Sequence, residues 1–197
     1  MKTILSILIL GATVLYTACN NSSDSKESSV KNNESTSQAQ STNATSEPKN
    51  TGTINDVVSD YLKIKNALTT DNGNGAASGA KDLGASLAKV DETSLNPEQK
   101  KTYDDLKDDI KEHAEHIGTN GSNIAHQREH FDLLSKDMID LVKTTGSSTT
   151  LYRDFCPMYN NKKGASWLSE TKEIKNPYYG NEMLKCGQVK EEIKPKG

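Results

Sequence analysis

Apolar residues recur at helical spacing through the middle of the chain. Ile54, Val57, Tyr61, Ile64 and Leu68 follow one another at intervals of three and four, which draws a single stripe down a helix. Thr53 can cap its start, and Asp56 three residues on completes a capping box. The run Asp71-Asn72-Gly73-Asn74-Gly75 then breaks it. A second stripe, Ala76, Ala80, Leu83, Leu87 and Val90, is interrupted by Gly79 and Gly84, each costing up to about 1 kcal/mol of helix propensity. Its small residues let a neighbour pack closely, and tertiary contacts must hold it. A third helix starts with Asn96 as cap and Pro97 in its first turn. Tyr103, Leu106, Ile110, His113 and Ile117 share its apolar face, and Gly118 is placed to end it. A fourth runs from about Ser122 to Lys143, with Ile124, Phe131, Leu134, Met138 and Leu141 as its stripe, Gln127 among them, and Gly146 closing it.

Four amphipathic helices joined by short turns predict an up-down bundle over residues 54–146. After Ser147 the period changes. Short β-like runs at Leu151 to Phe155, Trp167 to Leu168 and Gln188 to Ile193 alternate with turn residues at Asn160-Asn161, Asn176-Pro177 and Gly180-Asn181. The expected fold is therefore mainly α. It is a four-helix up-down bundle followed by a small irregular C-terminal module with short β-strands, residues 147–197, packed on the bundle end.

The stretch before the bundle has another character. Residues 1–19 read as a lipoprotein signal peptide: Lys2 gives the positive start, and Ile4 to Tyr16 is mostly apolar but too short to span a bilayer. Leu15-Tyr16-Thr17-Ala18-Cys19 resembles a bacterial lipobox and makes Cys19 the lipid attachment residue. A simple signal peptide with a chance cysteine is the alternative. Residues 20–53 are Ser, Thr, Asn, Lys and Glu, with Val30, Ala39 and Ala44 as the only aliphatics. Such a composition buries too little to offset its ordering entropy and reads as a disordered tether. The expected location is outside the cytoplasm: a membrane-anchored lipoprotein, periplasm-facing or on the cell surface, touching the membrane through its lipid anchor only.

About 140 residues remain, enough for one core. The formal charge of the chain is −3 and its only arginines are Arg128 and Arg153, which argues against nucleic acid. Nothing resembles a catalytic triad, a phosphate loop or a dinucleotide fingerprint, and no enzyme activity is expected. Asp104, Asp105, Asp108 and Asp109 form a solvated helix face and lack the glycine turn of a calcium loop.

The candidate chemistry is sulfur. Cys156 and Met158 flank Pro157, and Met183 stands three residues before Cys186. Thiolates, thioethers and imidazoles suit Cu(I) and similar soft ions, and Met183 and Cys186 would share one helical turn. An exported chain also permits a plain disulfide. A Cys156–Cys186 bridge would close a roughly 30-residue loop for about 3–4 kcal/mol, with the methionines as core filling. Among the histidines, His130 flanks the apolar stripe of the fourth helix and is the best ligand candidate. His126, four residues earlier, can reach the same ion but reads as solvated. His113 reads as a satisfied core or interface residue and His116 as exposed. Arg128 beside Glu129 reads as a helix-surface ion pair or a clamp between bundle and module. Trp167, Tyr178 and Tyr179 read as module core.

Several stretches carry a resemblance. They are Phe155-Cys156-Pro157-Met158, Gly164-Ala165-Ser166-Trp167-Leu168-Ser169, Lys172 through Gly180 and Met183-Leu184-Lys185-Cys186-Gly187, with Gln127-Arg128-Glu129-His130-Phe131 and Leu134-Ser135 upstream. Together they resemble an uncharacterised bacterial domain-of-unknown-function family. It is found in exported lipoproteins and as a C-terminal tail on periplasmic adaptor subunits of copper/silver efflux pumps. The likeness covers Ile54 to Ile193 and is strongest from Gln127 onward. It implies heavy-metal handling, with a heavy-metal efflux component as candidate partner. The chain lacks the other adaptor domains, so bridging a pump to a channel is not carried over. The expectation is a soft-metal-binding lipoprotein accessory to metal efflux or homeostasis. His130, Cys156, Met158, Met183 and Cys186 would be its ligands, Cu(I) its ion, and no cofactor is needed for the fold. The alternative is a non-catalytic protein-interaction lipoprotein with a structural Cys156–Cys186 disulfide.

Overall fold

Four helices stand where the apolar stripes place them in the computed structural model, which describes residues 53–196. The signal peptide, Cys19 and all but the last residue of the tether lie outside the described residues. The helices are α1 (Ile54–Thr69), α2 (Gly73–Leu87), α3 (Pro97–Thr119) and α4 (Ile124–Thr145). Thr53 and Asp56 form the expected capping box, with Thr53 N–H donating to the Asp56 carboxylate at 2.7 Å. Asn96 accepts from Glu98 and Gln99 N–H, and the Gln99 side chain reaches back to complete a second box.

Two helix ends differ from the sequence reading. The glycine run does not hold α1 and α2 apart: Asn72 accepts from Gly75 N–H at 2.8 Å, so α2 is capped and already helical at Gly73. Helix α3 passes through Gly118 to Thr119. Its last carbonyls find side-chain donors instead of a glycine cap. Asn120 Nδ2 donates to His116 O at 2.8 Å, and Gln127 Nε2 donates to Ile117 O at 3.0 Å. Gln127 also donates to Gly73 O at 2.9 Å, which ties α2, α3 and α4 at one end of the bundle. Of the two glycines that interrupt the stripe of α2, Gly79 marks a close approach and Gly84 does not. A Cβ at Gly79 would stand 3.1 Å from Ile64 N of α1, whereas one at Gly84 would meet nothing within 4 Å.

Beyond the bundle, β1 (Leu151–Cys156), β2 (Ala165–Ser169) and β3 (Gln188–Ile193) form an antiparallel sheet in the order β2-β1-β3. Arg153 pairs with Leu168 on one side and Glu191 on the other. The module is not an appendage, because Tyr61, Phe131, Leu134, Trp167 and Tyr178 belong to one continuous apolar core. Tyr61 and Phe131 stack at 5.2 Å, and Phe131 meets Tyr178 at 5.7 Å.

Edge strand β2 would leave outward N–H groups unpaired. The fully buried Tyr61 hydroxyl accepts from Leu168 N–H at 3.1 Å and shares a 2.8 Å hydrogen bond with Ser135 Oγ. One phenol thus joins α1, α4 and β2. Beside it, buried Lys65 pairs with Glu170 at 2.7 Å, and Asn66 donates to the same carboxylate at 2.9 Å. Asp154 on β1 is fully buried and neither carboxylate oxygen has a hydrogen-bond partner. At the opposite end from Gln127 the two ends of the described residues meet. Ser148 N–H donates to Asn55 Oδ1 at 2.8 Å, and Lys196 Nζ donates to Lys143 O at 2.6 Å. Among the described residues no helix is long and apolar enough to cross a membrane.

Tyr61→Phe keeps the ring but strands Leu168 N–H and Ser135 Oγ. The expected loss is about 1–3 kcal/mol, read from denaturant midpoints. Asp154 is a second test. Burial first, and then Glu170, push its carboxyl up to about 7, with Lys65 opposing. The unfolded chain releases that proton near pH 4, so between about 4 and 7 the folded state holds more protons and stability falls as pH rises. Asp154→Asn removes that slope. Its stability advantage over the parent should grow from pH 4 to pH 7, reaching roughly 2–4 kcal/mol, and stay level above.

Candidate functional site

Asn176 organises the loop that carries the second cysteine. It is fully buried and accepts from Tyr178 N–H at 2.8 Å and Tyr179 N–H at 3.2 Å, an Asx turn that starts at Pro177. Its amide donates to Cys186 O at 2.7 Å, and its backbone N–H donates to Leu184 O at 2.8 Å. Cys186 is thereby pinned over the end of β1, where Cys156 sits. The two Sγ atoms are 3.1 Å apart, both thiols are free, Cys156 is fully buried and Cys186 half-buried. The hydrogen bond to Cys156 first, and then burial, push the Cys186 thiol up to about 11. At neutral pH Cys186 therefore keeps its proton.

The methionines flank this pair in sequence. Met158 is 43% exposed, and its carbonyl accepts from Tyr179 OH at 3.0 Å. Tyr179 also lines a cavity of about 440 Å³ with Tyr159, Glu129 and Asp132. Met183 is half-buried and follows the 3-10 turn Gly180–Glu182. It does not share a helical turn with Cys186. Its φ is −141°, and a hydrogen-bonded turn from Cys186 N–H to Met183 O at 2.9 Å closes the spacing instead.

Arg128 locks the loop to the bundle. It donates through Nε to Pro177 O at 2.8 Å and through Nη2 to Leu68 O at 3.2 Å and to the Asp71 carboxylate. Asp71 in turn accepts from Asn181 N–H at 3.2 Å and Asn181 Nδ2 at 2.9 Å. The Arg128 hydrogen bond holds the Asp71 carboxyl below the usual range, with the Asn181 contacts helping. Of the two roles read from the sequence, Arg128 takes the clamp. Gly180 is required here: its φ is +53°, and a Cβ would fall 2.5 Å from Arg128 Nη2.

His130 does not join the thiols. Among the described residues, the one set of three His, Cys, Asp or Glu ligand atoms that closes to within 4.8 Å is His116, His126 and His130. His113 Nδ1 stands 3.3 Å from His130 Nδ1. All four histidines of the chain thus meet between α3 and α4. His113 stands at the α3–α4 interface as a half-buried partner of His130. His116 and His126 are half-buried, whereas the sequence reads them as exposed and solvated. The signal was present in hairpin symmetry. Positions 113 and 130, and 116 and 126, lie nearly equidistant from the α3–α4 turn, so antiparallel packing brings each pair together. Burial, then His116, His126 and His113, hold the His130 imidazole below its usual range.

The thiol pair fits two chemistries. A disulfide needs sulfurs about 2.05 Å apart. Two thiolates on one tetrahedral ion, with bonds of about 2.3 Å, stand roughly 3.8 Å apart. The observed 3.1 Å lies between the two.

A family model described as "Protein of unknown function (DUF3347)" matches residues 57–150. No curated protein and no solved structure matches the chain. The match covers the bundle and stops before the thiols.

Asn176→Ala orphans two N–H groups and releases the Cys186 carbonyl. The expected results are a loss of about 1–3 kcal/mol for each buried group left unpaired and faster alkylation of Cys186 than of Cys156 by iodoacetamide, followed by mass spectrometry.

Proposed function

We propose, for a chain whose residues 57–150 belong to this uncharacterised domain family, that it binds a soft metal ion such as Cu(I) as an exported lipoprotein accessory to metal efflux or homeostasis. One observation carries the reading. Two free thiols, remote in sequence, are held 3.1 Å apart at the end of β1 by a dedicated loop anchor. Soft monovalent ions select thiolate and thioether donors. Cys156 and Cys186 are the core of the donor set, and Met158 and Met183 are the thioethers nearest to them in sequence.

Loading has a proton cost. Cys186 must give up the proton it shares with Cys156, so uptake releases protons and weakens as pH falls. The same 3.1 Å separation favours a second reading, in which the thiols oxidise to a structural disulfide and the protein is an interaction lipoprotein.

The test is a Cu(I) titration of the full chain in a Cys19→Ser background, against a competing chelator, with free thiols counted. One ion bound tightly per reduced chain, lost on oxidation and in Cys156→Ser, supports the reading. Met158→Leu and Met183→Leu should each weaken the affinity while thermal unfolding stays unchanged. A reduced chain that leaves all Cu(I) on the chelator sinks the proposal and leaves the disulfide reading.

A further inference from the structure

The four histidines have no part in the thiol site, and their arrangement is hard to explain as packing. The rings of His116 and His130 stack face to face at 4.0 Å with 5° between their planes, and His126 meets His130 at 4.6 Å and 70°. His116 comes from the last turn of α3, and His126 and His130 from the first two turns of α4. Core packing would use apolar side chains here. Two carboxylates touch the cluster, Glu129 Oε2 at 3.4 Å from His126 Nδ1 and Asp137 Oδ2 at 3.8 Å from His113 Nε2, while the three ligand atoms that close to within 4.8 Å are all imidazole nitrogens.

We infer that His116, His126 and His130 form a second metal site, for a divalent imidazole-preferring ion such as Zn(II) or Cu(II), independent of the thiols. Imidazole suits these ions, while a sulfur-only set suits Cu(I). Three nitrogens with bonds of about 2.0–2.1 Å around a tetrahedral ion lie roughly 3.3 Å apart. The ligand atoms already lie within 4.8 Å of one another on half-buried side chains, and the parallel His116 and His130 rings turn out of their stack to aim both lone pairs at one ion. Three protein ligands leave one position open to water or a transferred ligand.

His113 has a separate role. Its Nδ1 faces His130 Nδ1 at 3.3 Å, which leaves His130 Nε2 as the free ligand atom, and Asp137 stands behind it. An imidazole ligand whose other nitrogen is held by an outer partner is oriented before the ion arrives. His113 is thus a positioning residue. Gln127, with hydrogen bonds to α2 and α3, fixes the helix ends that carry the ligands.

The experiment removes the thiols first. The full chain carrying Cys19→Ser, Cys156→Ser and Cys186→Ser is titrated with Zn(II) by calorimetry, and with Cu(II) by electron paramagnetic resonance. One ion per chain, with hyperfine splitting from nitrogen ligands, is the expected result. His116→Gln and His126→Gln should each weaken binding by more than about 100-fold, and His113→Gln by about 10–100-fold, the cost of losing an outer partner. Circular dichroism checks that each variant is folded. Absence of saturable binding by the thiol-free chain overturns the site, as does binding that His116→Gln and His126→Gln leave unchanged. Because Zn(II) is read without thiols, either outcome is separate from the fate of the Cu(I) reading.

Discussion

The architecture turns on how an edge strand is sealed. A three-stranded sheet with β2 at its border cannot lie against a helix bundle and leave its outward N–H groups without partners. Here a buried phenol does the sealing, accepting from Leu168 and meeting Ser135 of α4 from its place on α1. That contact fixes the height at which the sheet docks. Trp167 and Tyr178 then fall against Phe131, and the bundle and sheet become one core. The position of Cys156 at the far end of β1 follows from the same docking.

The helices were readable because their information is local. Thr53 with Asp56 and Asn96 with Gln99 spell their own caps, and the stripes need no knowledge of the partner helix. The three strand positions were readable too, to within two residues. What failed depended on distant groups. Gly118 looked like a helix stop until Asn120 and Gln127 supplied the carbonyls with donors. His116 looked exposed because its cover comes from the next helix. The Cys156–Cys186 approach was among the possibilities in sequence, but the anchor that makes it, Asn176 donating to Cys186 O, was not visible.

The two proposed donor sets, of unlike softness, sit on two kinds of support. The imidazoles ride on the ends of a helix hairpin stiffened by Gln127, and rigid elements hold ligand geometry well. The thiols join a strand end to a loop, and the loop depends on Asn176 and on the Arg128–Asp71 clamp. The clamp reaches α1, α4 and the loop at once, so the loop is as well placed as the bundle beneath it.

The two ends of the described residues meet at one end of the bundle. Thr53 enters beside Ser148 and Lys196, where α1 begins and α4 stops. His126 sits at the opposite tip of α4, and a helix rises about 1.5 Å per residue, so the imidazoles lie roughly 30 Å from the point of entry. The two ends of α4 thus carry different things, the entry of the described residues at one and the imidazoles at the other, a helix length apart.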